Sequence, residues 1–245
     1  MFVHLHGHTY WSLLDGAAPP EALFRRAVDL GMPGIAVTDH GAMYGTAECY
    51  LIAERIQTET GRPFRFIPGL EAYVAPRSRF DKEKSKGDDA NWHLVLWALD
   101  NIGLSILYRL VSHSEIYYKP RIDRQLLTAL IAECGQGHIA GSSACLASEI
   151  NWHLLQNNYQ GARDIAGQYR EILGEGNFFL ELQDHGLEEQ RLVNRGLLRL
   201  HKDMGIPMIA ANDYHYVEPE HAFLHDVVVC IQTGKQLSDE NRMQS

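Results

Sequence analysis

The chain has 245 residues, 45% of them hydrophobic, enough for a sizeable core in one α/β domain spanning 1–245. Its formal charge of -9 argues against non-specific nucleic-acid binding, which depends on lysine and arginine displacing counterions from phosphates; any DNA contact has to be local or metal-mediated. There is no secretory leader pattern, no apolar run near the roughly 18 residues that span a bilayer, and no paired spacing among Cys49, Cys134, Cys145 and Cys230, so the expectation is a soluble, cytoplasmic protein without a disulfide framework or a zinc ribbon.

In chain order, residues 2–6 are predicted as a short strand. Residues 19–30, PPEALFRRAVDL, are predicted as a helix by their proline start and apolar spacing. Residues 34–38 form an apolar run suited to a buried parallel strand, and residues 44–60 follow as a helix that stops before Gly61. Further strands are predicted at 66–74, 94–99, 138–141, 178–182 and 208–211, with helical patterns between most of them. The segment 76–89, PRSRFDKEKSKGDD, is polar and charged and is the candidate for a mobile loop. Strands alternating with helices indicate a parallel sheet, either open or closed into a barrel.

The histidines favour closure into about seven strands. Thirteen are present, and His4, His6 and His8 alternate in HLHGHTYWS, so an extended backbone projects them to one side. An H-x-H pair alone is weak evidence for a metal. Other metal-ligating side chains stand where predicted strands meet loops: Asp15 in SLLDG, His40 in VTDHG, Glu71 in PGLEAY, Cys145 in SSACL, and Asp213 and His215 in ANDYHY. His93, in NWHLVL, instead begins its apolar run. In a parallel α/β barrel the strand C-termini converge on one face, which would gather these residues around metal ions. Singly each has an ordinary structural role, Asp15 in a turn, Glu71 as a surface charge, Cys145 as a small core residue.

Taken in order, HLHGHTYWSLLDG, GMPGIAVTDHGAMYG, GLEAYVAP, HLVLWA, YYKPRID, SSACL, FFLELQDHG, NDYHY and IQTGK resemble the PHP (polymerase and histidinol phosphatase) domain over essentially the whole chain. The branch they resemble most is the N-terminal PHP domain of bacterial DNA polymerase III alpha subunits. That resemblance implies a distorted (β/α)7 TIM-like barrel with a three-metal cluster at the strand C-termini. His6, His8, Glu71 and Asp213 would hold one ion, with a metal-bound catalytic water. Glu71, bridging, would hold a second with His93 and Cys145, and Asp15, His40 and His215 a third. His4 is not a ligand of the family. Two to three divalent ions are expected, zinc first for this donor set, with manganese or iron as alternatives at oxygen-rich positions.

The chemistry implied is phosphoester hydrolysis, as a 3′–5′ exonuclease of the proofreading type acting on single-stranded or frayed 3′ ends of DNA. Lys119, Arg121, Arg77 and Arg79 are candidates to grip phosphate oxygens, and Tyr117 and Tyr118 to stack a base; a solvated loop face or rim packing are the ordinary alternatives. His185, in LQDHG, is read as structural, and His113, His138, His153, His201, His221 and His225 as surface or packing residues. Two other functions compete. One is a module whose metals stabilise the fold and position a polymerase catalytic region or other replisome subunits. The other is a free phosphatase of the histidinol-phosphate type, against which YYKPRID, FFLELQDHG and IQTGK stand. No part of the chain is expected to supply nucleotidyl transfer.

Overall fold

A computed structural model describes residues 2–82, 91–116 and 120–242 as a mixed α/β fold. Half of the segment read as a mobile loop, residues 83–89, lies outside the described residues, as do Tyr117, Tyr118 and Lys119. Two compact units are formed: residues 1–68 with 213–245, and residues 69–212.

In the first unit, α1 (Pro20–Asp29) starts on a proline, whose missing N–H costs nothing in the first turn, and buries Leu23, Phe24 and Ala27. Strand β1 (Gly34–Val37) is buried throughout and pairs in parallel with residues 65–68 of β2 (Arg65–Val74). Helix α2 (Thr46–Thr60) ends at Gly61, whose φ of 65° places it in the left-handed region where glycine carries no Cβ penalty. Phe24, Ile35, Val37, Ile52, Ile56 and Phe64 form the core of this unit, with Phe66 and Tyr214 packed against it. Helix α8 (Ala222–Thr233) follows a 3-10 turn at Pro219–His221.

The first predicted strand is not formed as such. The segment is extended and hydrogen-bonded, but its partners alternate: the Ala36 N–H donates to the His4 carbonyl, Thr38 to Gly7, and His8 to Tyr214. Gly7 makes an isolated parallel bridge to Tyr214, and a Cβ there would run into the Tyr214 ring. Six strands are thus formed among the described residues, against seven expected.

In the second unit, residues 69–74 of β2 pair antiparallel with β3 (Trp92–Ala98), and β3 pairs antiparallel with β4 (Ile139–Ser142). Strands β5 (Phe178–Leu182) and β6 (Met208–Ala210) continue in parallel. The all-parallel sheet expected from alternation is therefore corrected at β3. Helices α3 (Asn101–Glu115), α4 (Arg124–Cys134), α5 (Glu149–Leu155) and α6 (Tyr159–Leu173) are capped by the side chains of Asp100, Asp123, Ser148 and Asn158, each accepting a first-turn backbone N–H. Helix α7 (Glu188–Met204) ends at Gly205, φ 70°. None of the described helices is long and apolar enough to cross a membrane.

Candidate functional site

Six of the nine predicted ligands belong to the first unit. The extended backbone around Gly7 sets His6 and His8 on one side, both fully buried, with ring centroids 5.6 Å apart. Their Nε2 atoms lie 3.3 and 3.1 Å from the same carboxylate oxygen, Oδ1 of Asp213. Asp213 has φ of 48°, a left-handed backbone that costs a non-glycine residue on the order of 1 kcal/mol and that aspartate tolerates better than most. The turn after β6 places His215 beside it. The backbone carbonyl of Asp213 lies 2.9 Å from His215 Nδ1, leaving Nε2 to face Asp15.

Asp15 is met from two sides, by His40 Nε2 at 3.3 Å and His215 Nε2 at 3.2 Å. Burial pushes its carboxyl up, but the bond from His215 and the positive potential of His215, His40 and His8 outweigh burial and hold it at about 2. His8 stacks on His40 at 4.2 Å and tilts against His215 at 4.5 Å. One donor atom each from His8, Asp15, His40 and His215 falls within 4.8 Å of the others. Tetrahedral donors at bonds of about 2.0–2.2 Å from one ion stand about 3.3–3.6 Å apart, a spacing that the His40–Asp15 and His215–Asp15 pairs, at 3.3 and 3.2 Å, already approach. Three imidazoles and a carboxylate also suit a borderline cation by chemistry.

The second unit holds Glu71, His93 and Cys145. Glu71 is fully buried on β2, and His93 Nδ1 is 2.9 Å from its Oε1. Cys145 Sγ is 3.4 Å from His93 Nδ1 and 3.7 Å from Glu71 Oε1. The reversed direction of β3 resolves the sequence anomaly at His93: in an antiparallel strand the first residues, not the last, lie beside the C-terminal ends of β2 and β4. Imidazole, carboxylate and thiol together again fit a zinc-type ion.

Three positioning contacts were not foreseen. Ser12, fully buried, sits 3.1 Å from His8 Nδ1 through Oγ, which also accepts the His40 backbone N–H at 2.9 Å. Asp39 accepts the Thr9 N–H at 2.7 Å and is raised chiefly by burial. Asn151 donates to the Cys145 carbonyl at 2.7 Å. Only the position of Ser12 between His8 and Asp15 hinted at any of these.

The remaining predicted residues are placed as follows. Arg79 pairs with Asp123 at 2.9 Å, Arg121 is 1% exposed and donates to the Asp81 carbonyl at 2.5 Å, and Arg77 is exposed, 3.5 Å from Asp81. His4 packs edge-on against Phe2 and Tyr214. His185 has both ring nitrogens within hydrogen-bond distance of partners, the Asn212 carbonyl at 2.7 Å and the Gln190 amide at 3.0 Å. His225, read as a packing residue, lies 5.0 Å from the His215 ring, and burial followed by His215 lowers its pKa.

Compared with known proteins, residues 4–185 match the family model described as the PHP domain. The chain is 40% identical over 98% of its length to a DNA polymerase III subunit alpha of Saccharopolyspora erythraea and 41% identical over 98% to one of Thermus aquaticus. It spans about a fifth of the length of these relatives, 21% and 19%. Among solved structures, a histidinol phosphate phosphatase of Lactococcus lactis in complex with zinc, L-histidinol and phosphate is 13% identical at a TM-score of 0.46, covering 94% of this chain and 91% of that one.

Proposed function

Because the chain belongs to the PHP domain family, we propose that it is a metal-dependent phosphoesterase that removes nucleotides from single-stranded or frayed 3′ ends. The observation that carries this reading is the gathering of His6, His8, Asp15, His40, Asp213 and His215, from segments up to about two hundred residues apart, into one group in the first unit, with His6 and His8 buried and the other four partly exposed. Family membership also supports a distorted (β/α)7 barrel as the fold, a single metallophosphoesterase domain over 1–245, and two to three divalent ions, zinc first and manganese or iron otherwise. The nine proposed ligands are these six with Glu71, His93 and Cys145.

Divalent ions at such residues lower the pKa of water and neutralise charge on phosphate oxygens. The protein's own side chains have narrower tasks. Asp213 and Asp15 supply negative charge that holds cations inside a chain already at -9, and those cations supply the attraction to phosphate that the chain as a whole lacks. The stacked rings of His8 and His40 are kept in register by Ser12. Of the proposed phosphate contacts, Arg77 is exposed, whereas the bonds of Arg79 and Arg121 favour a role in shaping the turn at 76–81. Lys119 and Tyr117 stay proposals outside the described residues.

The polymerase branch is favoured over the small-molecule phosphatase because the 40%-identical relatives are polymerase alpha subunits, which also makes a polymerase region or replisome subunit the proposed partner. The test gives metal-loaded protein a 3′-labelled oligonucleotide and histidinol phosphate side by side, with Asp213→Asn as the contamination control. Nucleotide release from single strands and frayed ends, absent in Asp213→Asn, is expected, with no phosphate from histidinol phosphate. Phosphate release from the small ester without nucleotide release overturns the exonuclease reading. Activity on neither leaves the metal-stabilised module.

A further inference from the structure

We propose that Glu181, a buried acid outside the nine-residue ligand set, is a positioning residue that fixes the thiolate of Cys145 for metal binding. The inference rests on the reading of Cys145 as a ligand and deepens it. Strand register places the residues involved on one face of the sheet of the second unit. Glu71 lies opposite Val95, Val95 opposite Ser142, and Ser142 opposite Phe179, so Glu181, two residues beyond Phe179, shares the face of Glu71 and His93. On that face Glu181 is 1% exposed, and Ser142 beside it is fully buried. A carboxylate so removed from water is held only where donors meet it.

Those donors come from its neighbours on both sides. The Ser142 hydroxyl donates to Glu181 Oε2, and the Gln183 amide donates to Oε1 at 2.9 Å. The Glu181 backbone N–H donates to Ser143 Oγ at 2.9 Å, and the Ala144 N–H donates to Ser142 Oγ at 3.3 Å. Glu181 thereby grips both serines of the turn that leads into Cys145. The turn itself is strained: Ala144 has φ of 51°, in the left-handed region that a Cβ disfavours. From the far side Asn151 holds the Cys145 carbonyl at 2.7 Å. With its backbone clamped from two directions, the thiol is delivered to within 3.4 Å of His93 Nδ1.

A metal site whose outer hydrogen bonds are cut loses affinity by about 10–100-fold, because the ligand must then be ordered at the moment of binding. The experiment titrates cobalt(II) into metal-free protein and reads the thiolate-to-cobalt charge-transfer band, which reports the sulfur–metal bond independently of catalysis. Wild type is expected to show the band and Cys145→Ser to lack it. Glu181→Gln cannot accept from Ser142 and Gln183 on separate oxygens, and is expected to weaken the affinity read from the band by about tenfold or more. Ser142→Ala breaks the same link with a smaller change of volume and is expected to do likewise, which keeps the test open if Glu181→Gln fails to fold. A band that is absent from wild type, or that survives Cys145→Ser, removes Cys145 as a ligand and the proposal with it. A Cys145-dependent band of unchanged affinity in a folded Glu181→Gln or Ser142→Ala protein overturns the positioning role alone.

Discussion

His8 and His4 lie four residues apart on the same extended segment, yet their surroundings differ in kind. His8 is buried between His40 and His215 and meets Asp213 at 3.1 Å, whereas His4 packs on Phe2 and Tyr214 and is lowered in pKa by burial alone. His8→Ala and Asp213→Asn should therefore each lower phosphoester hydrolysis by at least about a hundredfold, close to background, while His4→Ala changes it less than about threefold. Initial rates on a labelled oligonucleotide, with circular dichroism to confirm folding, check this. Equal losses in all three would show that the ligand assignment is wrong. The side chains gathered in each unit were legible in the sequence because imidazole, carboxylate and thiol are rare together at strand ends. Ser12, Asp39 and Asn151 were not, since a serine or an asparagine acquires meaning only from the atom it faces, and that atom lies up to 30 residues away for Asp39.

At the scale of elements, strand and helix positions followed from apolar runs and punctuation, and most boundaries fell within one to three residues of expectation. The direction of β3 did not. A buried strand looks the same in composition whichever way it runs, and the connection from Val74 to Trp92 is too long to carry the signature of a tight hairpin. The YYKPRID segment shows a related limit: Arg121, a candidate phosphate contact with a solvated loop face as the alternative, is buried, and so is Asp123. Asp123 caps α4 by accepting the Leu126 N–H at 2.8 Å and also accepts from the backbone and guanidinium of Arg79, both at 2.9 Å. Asp123→Ala removes the cap and leaves the Arg79 charge largely out of water, so it should cost about 3 kcal/mol. In urea unfolding the midpoint should fall with an unchanged slope. A loss below about 1 kcal/mol would mean that Arg79 finds another partner.

For the molecule as a whole, the proposed ions bind only where the ligand groups are assembled, so they add to stability by mass action. With free metal a hundredfold above its dissociation constant the gain is about 2.7 kcal/mol per site. In a chain of this size chelation should lower the melting temperature by about 5–10 °C for each site emptied. Thermal melts before and after verified metal removal, with zinc added back, check the value. An unchanged melting temperature would mean that the ions contribute nothing to the fold and would count against the metal-stabilised module as well as the hydrolase.

One unit is continuous in the chain, residues 69–212, and the other is assembled from residues on either side of it. On the ribosome this division becomes a matter of time. His6 and His8 emerge early, but Asp213 and His215 follow some two hundred residues later, which at about 5–20 residues per second is a delay of about 10–40 s. Over that interval the nascent chain carries His6 and His8 with their shared carboxylate, Asp213, still unmade, while the continuous unit is free to fold first. The six residues of the discontinuous unit can therefore meet a cation together only late in synthesis.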